Sequence, residues 1–124
     1  MPEINTRETM QVTRSLALSS EAAGGLICIR GNHLGHMIPL PGDKTVTFGR
    51  DPVACQVVLD DGQVSRKHCQ ITYIASLKQY RIIDLSKNGT FFADGTRLKQ
   101  GKKYYVKPAA EIYMGNGDNL YKFR

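Results

Sequence analysis

An all-β fold, a sandwich of two antiparallel sheets behind a flexible amino-terminal tail, is predicted by three features of the sequence. Short runs rich in β-branched and aromatic residues follow one another from Leu26 to the end. Turn signals such as Pro41-Gly42-Asp43, Asp60-Asp61-Gly62 and Ala93-Asp94-Gly95 separate them. No long amphipathic helical pattern is present after residue 25.

Taken in order, residues 1–24 read as the tail. They are rich in Thr, Ser and Glu and end in a small-residue join, Ala22-Ala23-Gly24-Gly25. Arg14 to Ala23 offers a short helix with a poor apolar stripe. Residues 25–124 read as one domain. Leu26 to Arg30 is a strand closed by the Gly31-Asn32 turn, and His36 to Leu40 and Lys44 to Gly49 follow. Gln56 to Leu59 is next. Cys69 to Ala75 and Gln79 to Leu85 pair as a hairpin. Thr90 to Phe92, Tyr104 to Val106, Glu111 to Met114 and Leu120 to Phe123 complete the set, the last two joined through Gly115-Asn116-Gly117-Asp118.

A chain of 124 residues is enough for one domain, and its 41% hydrophobic fraction is ordinary for a globular core. Cys28, Cys55 and Cys69 form no CxxC, so neither a zinc site nor a disulfide framework is expected. Cys28 and Cys69 lie in apolar or alternating runs and read as core residues. Unpaired thiols suit a reducing compartment, and the amino terminus lacks the apolar core of a signal peptide. No segment is apolar for long enough to span a membrane as a helix. A cytoplasmic location is the expectation. The net charge of +6 favours anionic partners without choosing among nucleic acid, anionic lipid and phosphoprotein.

Three short stretches carry the chemistry. Arg50 follows Gly49 at a strand end, where a fixed guanidinium presents paired donors to phosphate oxygens; a solvated surface arginine is the plain alternative. In Ser65-Arg66-Lys67-His68, Ser65 can donate its hydroxyl proton to a phosphate and Arg66 adds charge. A nucleophilic pair of Ser65 with His68 is set aside, because no orienting acid or oxyanion nest accompanies it. His68 reads instead as a buried side chain bonding loop backbone. Asn88-Gly89-Thr90 is on its face a turn, but the Asn amide can also donate to and accept from a peptide backbone at once.

In this order, inside an all-β chain, Gly-Arg, Ser-x-x-His and Asn-Gly-Thr resemble the pattern of the forkhead-associated (FHA) domain from Gly25 to Arg124. The resemblance implies a two-sheet sandwich whose loops at one end bind phosphothreonine peptides, downstream of a serine/threonine protein kinase, with phosphothreonine favoured over phosphoserine. It implies that Arg50 contacts the phosphate, that Ser65 hydrogen-bonds it, that Arg66 assists, and that Asn88 holds the peptide main chain. Gly49, His68, Gly89 and Thr90 would structure the loops. Lys87 departs from the small hydroxyl residue common before the Asn, and either contacts phosphate or points into solvent. Gln63 is uncharged, so no arginine-driven choice of an acidic residue three places after the phosphothreonine is implied.

Thr6, Thr9 and Thr13 in the tail are candidate phospho-acceptors, with Val12 and Leu16 three residues after the last two. A phosphorylated tail would then bind its own domain or a neighbour's; incidental threonines in a leader are the alternative. Two rival functions are an FHA-fold scaffold that binds without phosphate and a nucleic-acid binder using Lys99, Lys102, Lys103 and Lys107 beside Tyr104 and Tyr105. An enzyme is the least supported class: no metal set, P-loop or acid–base pair is legible, and no cofactor is expected.

Overall fold

Ten strands build two five-stranded sheets in the computed structural model, which describes residues 24–115 and 117–124. The candidate tail phospho-acceptors Thr6, Thr9 and Thr13 and the candidate helix from Arg14 to Ala23 lie outside the described residues. The strands are β1 (Gly24–Arg30), β2 (Met37–Leu40), β3 (Thr45–Gly49), β4 (Val57–Val58), β5 (Cys69–Ile74), β6 (Gln79–Asp84), β7 (Thr90–Phe92), β8 (Lys103–Val106), β9 (Glu111–Met114) and β10 (Asn119–Phe123). Each run of β-favouring residues in the sequence has its strand, with ends shifted by a residue or two.

One sheet has the order β2-β1-β10-β9-β7 and the other β4-β3-β5-β6-β8. Pairing is antiparallel with one exception: β4 runs parallel to β3, with Phe48 opposite Val57 and Gly49 opposite Val58. The parallel pair arises because Gly49 to Gln56 makes no hairpin. The chain crosses over and returns on the same side, with the Leu59 N–H donating to the Gly49 carbonyl at 2.8 Å. At the other terminus, β1 starts at Gly24, one residue inside the stretch read as tail, because Gly24 pairs with Leu40.

Period-two burial explains the two-layer packing. In β6 the residues alternate half-buried and buried from Gln79 to Asp84, and Tyr80 and Ile82 face the other sheet. The core contains Leu26, Leu40, Phe48, Ile71, Ile82, Met114 and Tyr121, each at 0–1% exposure or fully enclosed. Phe48 meets Tyr121 edge to face across the layers, with ring centroids 5.8 Å apart. The buried Tyr80 hydroxyl accepts from the Gly25 N–H at 3.0 Å and donates to the Arg124 carbonyl at 2.9 Å, so one side chain ties together both ends of the described domain. Cys28 and Cys69 are core residues as expected, and Cys55 is buried as well.

This arrangement gathers the motif loops. Phe48, Cys69 and Asp84 stand abreast in register at one end of the second sheet, and Thr90, Met114 and Asn119 at the matching end of the first. The loops that leave these positions carry Arg50, Ser65 and Asn88.

Candidate functional site

The site begins with Gly49. A Cβ at this position would sit 2.1 Å from the Arg66 carbonyl oxygen and 2.9 Å from Cys55 Sγ, so only glycine lets the two loops touch. The contact is then locked by backbone bonds: Arg50 N–H to the Ser65 carbonyl at 3.0 Å and Asp51 N–H to the Arg66 carbonyl at 3.2 Å. Cys55 Sγ–H also donates to the Arg66 carbonyl, at 3.0 Å. Burial raises the Cys55 thiol pKa above its ordinary value, keeping the sulfur protonated for that role.

Arg50 is exposed, and its Nε donates to the Val64 carbonyl at 3.0 Å. With Nε committed, the terminal Nη groups are the donors left for a ligand. Ser65 is half-buried and its Oγ accepts the Lys87 N–H at 2.9 Å. A hydroxyl that accepts from the protein keeps its own proton free to donate, the role an oxyanion demands. The Ser65 N–H in turn donates to His68 Nδ1 at 3.1 Å.

His68 is fully buried and joins two loops. Since Nδ1 accepts, Nε2 carries the proton and donates to the Gly89 carbonyl at 2.8 Å. Its pKa is lowered, chiefly by burial; the bond to Gly89 and the charges of Asp84 and Asp61 act the other way. The neutral imidazole is therefore the form that holds the loops. The serine hydroxyl and the imidazole are not hydrogen-bonded to each other: the Ser65 backbone amide meets the ring.

Beneath Asn88 lies a polar cluster that sequence reasoning missed. Asp84 is fully buried, and its Oδ1 accepts from Ser86 Oγ at 2.6 Å, Ser86 N–H at 3.2 Å and Thr90 Oγ1 at 2.8 Å. Ser86 Oγ accepts the Gly89 N–H at 2.7 Å. Gly89 needs to be glycine: its φ is +106°, and a Cβ would lie 2.9 Å from Phe91 and Arg97 side-chain atoms. A serine two residues after an aspartate, just before a turn, was the available signal, because Asp and Ser side chains bind nearby backbone in tight turns.

Asn88 is exposed, and its Nδ2 donates to the Gln63 carbonyl at 2.9 Å and to Gln63 Oε1 at 3.3 Å. Its Oδ1 remains as an acceptor. Gln63, read only as an uncharged neighbour, thus orients the asparagine. Asp61 shapes the same loop, accepting from the Gln63 N–H at 2.8 Å and from Asn119 Nδ2 at 2.8 Å. Lys87 is exposed; its carbonyl accepts from Arg97 Nη2 at 3.0 Å. The Arg66 side chain is exposed at the same end. The structure therefore brings Arg50, Ser65, Arg66, Lys87 and Asn88 onto three neighbouring loops, and sets Gly49, His68, Gly89 and Thr90 behind them.

A two-layer β-sandwich with a cationic loop surface over a buried hydrogen-bonded frame defines a class of binding module. The FHA domain family matches over residues 46–115, and the chain belongs to that family. The resemblance read from the three motifs holds. Similar curated proteins include the meiosis-specific serine/threonine-protein kinase MEK1 of Saccharomyces cerevisiae, 29% identical over an alignment of 107 residues that covers 78% of this chain and 21% of that protein. The human nuclear inhibitor of protein phosphatase 1 is 26% identical over 96 residues, 77% of this chain and 27% of that protein. The chain thus spans about a fifth to a quarter of the length of these relatives. Among solved structures, the MEK1 FHA domain in complex with a HOP1 phosphothreonine peptide is 26% identical with a TM-score of 0.69, covering 82% of this chain and 95% of that one. The amino-terminal FHA domain of S. cerevisiae Rad53p, in complex with a phosphothreonine peptide, is 26% identical with a TM-score of 0.67, covering 81% and 90%.

Proposed function

We propose that this chain is a phosphothreonine-dependent interaction module, reading phosphorylated segments made by a serine/threonine kinase, and that it has no catalytic role of its own. The observation that carries the proposal is the Ser65 hydroxyl, whose acceptor role is filled by the Lys87 N–H beside an arginine already anchored through Nε. In this reading both groups would donate to one phosphate. Two solved relatives carry phosphothreonine peptides, which supports the same ligand here.

A phosphothreonine brings close to two negative charges and three strong acceptor oxygens at neutral pH. Each charge-assisted hydrogen bond contributes roughly 1.5–3 kcal/mol, and micromolar binding needs about 8 kcal/mol. Arg50, Ser65 and one further donor, Arg66 or Lys87, would supply much of that. Asn88 Oδ1 would accept a main-chain N–H next to the phosphothreonine. An unphosphorylated peptide then binds very weakly. The reading places the chain in a reducing compartment such as the cytoplasm, where its three free buried thiols stay reduced.

The test is a degenerate phosphothreonine peptide library screened against the whole chain, with unphosphorylated peptides and Arg50→Ala as controls. Selection of phosphopeptides that Arg50→Ala abolishes is the expected result. Equal capture of phosphorylated and unphosphorylated peptides would sink it.

A further inference from the structure

Among the described residues, the strands of the β4-β3-β5-β6-β8 sheet present positive charge and no carboxylate on its outer face. Register sets Thr45, Thr72, Arg81 and Tyr105 in one row across it, and Lys103 lies in the adjacent row opposite Ile83. No Asp or Glu occurs from Gly62 to Ile83 or from Gly95 to Ala110, and the one carboxylate in these strands, Asp84, faces the core.

Lysines on an edge strand such as β8 commonly keep other chains from pairing with it. Arg81 has no such use, because β6 lies between β5 and β8. Its Nη2 reaches Thr72 Oγ1 at 3.4 Å, and its Nε is shielded without an acceptor. Thr72 Oγ1 is also 2.9 Å from Thr45 Oγ1, so the guanidinium lies against hydroxyls and receives no counter-charge from the described residues. Tyr105 beside it is 50% exposed.

The face is continuous with the peptide site. Gln100 Nε2 donates to the Ser86 carbonyl at 2.9 Å, and the Gly101 N–H to the Asp84 carbonyl at 2.8 Å. These bonds pin the loop bearing Lys99 and Lys102 against the loop bearing Lys87 and Asn88. Cationic residues are thus found on both loops at this end and on β8 and β6 beside them, although Lys102 Nζ itself turns onto the Tyr104 ring.

We propose that this face is a second docking surface, taking an extended segment rich in Asp and Glu from the same partner chain whose phosphothreonine the loops hold. The proposal rests on the phosphothreonine reading for its anchor. Charge complementarity selects the occupant: an acidic segment neutralises Arg81 and the lysines, while its extended backbone suits a flat sheet face. Arg81 lies three residues back along β6 from Asp84, roughly 10 Å at the strand rise, so about eight extended residues beyond the anchor are sufficient.

The test compares five phosphothreonine peptides from the library screen on the unaltered chain: the short form, and forms extended on one side or the other by about eight residues that are either Asp/Glu-rich or Gly/Ser-rich. With several exposed charge pairs each contributing modestly, the acidic extension on one side should tighten Kd about tenfold at low salt. The gain should vanish with the Gly/Ser extension and shrink as salt rises. Arg81→Gln with Lys103→Gln should remove the gain and leave the short peptide's affinity unchanged. Equal Kd for acidic and Gly/Ser extensions on both sides overturns the proposal, whatever the variants do, while the short peptide's binding leaves the phosphothreonine reading standing. No binding of any phosphopeptide overturns that reading instead. Salt-sensitive binding of duplex DNA that the double variant abolishes, with no gain from acidic extensions, assigns the face to nucleic acid and overturns the acidic-segment proposal.

Discussion

The exposed ligand layer and the buried frame beneath it come from the same three motifs but obey different chemistry. Arg50, Arg66, Lys87 and Asn88 are exposed, and their outward donors and acceptors are left uncommitted. His68, Asp84, Ser86 and Thr90 are at most 1% exposed and hydrogen-bonded within the protein, Asp84 through Oδ1 and not Oδ2. Removing a member of the outer layer is expected to delete a bond to ligand and to disturb little inside, the largest disturbance being the part-buried Val64 carbonyl that Arg50 Nε leaves. Removing a member of the frame strands its partners away from water, at about 1–3 kcal/mol each. Binding and folding should therefore separate cleanly by residue.

The largest effect expected is in the frame. Gly49→Ala drives a Cβ into the Arg66 carbonyl and should cost about 3 kcal/mol or more of stability, read by denaturant melts. A melt within experimental error of the parent would show that the loops can part at little cost, and the comparison would break there. Arg50→Ala, one residue on, should do the opposite. Phosphopeptide affinity by calorimetry falls at least about 100-fold, while stability moves by about 0.5 kcal/mol or less.

Asp84→Ala deprives Ser86 and Thr90 of their shared acceptor. A stability loss of about 2 kcal/mol is expected, with a few-fold weakening of binding as Gly89 and Asn88 lose their support. Weakened binding without any stability change would move Asp84 from the frame to the ligand layer. Ser65→Ala touches both layers, since Ser65 is a proposed phosphate donor and also accepts from Lys87. Affinity should drop about tenfold with a small accompanying loss of stability.

The smallest effect is the dependence on pH. His68 has a lowered pKa in the folded chain, while the unfolded chain takes up its proton near the ordinary imidazole value of 6.5. The contribution of His68 is then complete above pH 6.5 and is lost as pH falls from there through the folded pKa. Melts of the ligand-free chain should show this slope, and its absence in His68→Gln would assign it. Working without ligand keeps the phosphate's own titration out of the measurement.

Much of this was legible in the sequence, for definable reasons. Strand positions followed from local alternation and turn residues, which are properties of consecutive residues. Arg50, Ser65 and Asn88 stood out because each pairs a phosphate- or amide-binding group with a strand end. Asp84 and Ser86 act on partners two to six residues away, and the Asp-x-Ser spacing before the turn was the signal for them. Gln63 and Arg97 act on partners 25 and 10 residues away, and no local pattern announces such a bond. The parallel β3–β4 pair was missed for the same reason, since pairing direction is a property of the path between strands. Lys99, Lys102, Lys103 and Lys107 looked like one cluster beside two tyrosines. In the fold, Lys102 Nζ lies 5.3 Å from the Tyr104 ring centroid and the Tyr104 hydroxyl accepts from the Lys99 N–H, while Tyr105 faces out beside Arg81.

The order of residues by itself determined the fold class, the strands and the type of ligand chemistry, because alternation, turn propensity and side-chain donors are local. Tertiary structure alone decided which groups of each side chain are bonded within the protein and which are left over. The Ser65 hydroxyl is a donor outward only because Lys87, 22 residues on, fills its acceptor role. His68 is neutral and fixed in one tautomer only because folding buries it between Ser65 and Gly89.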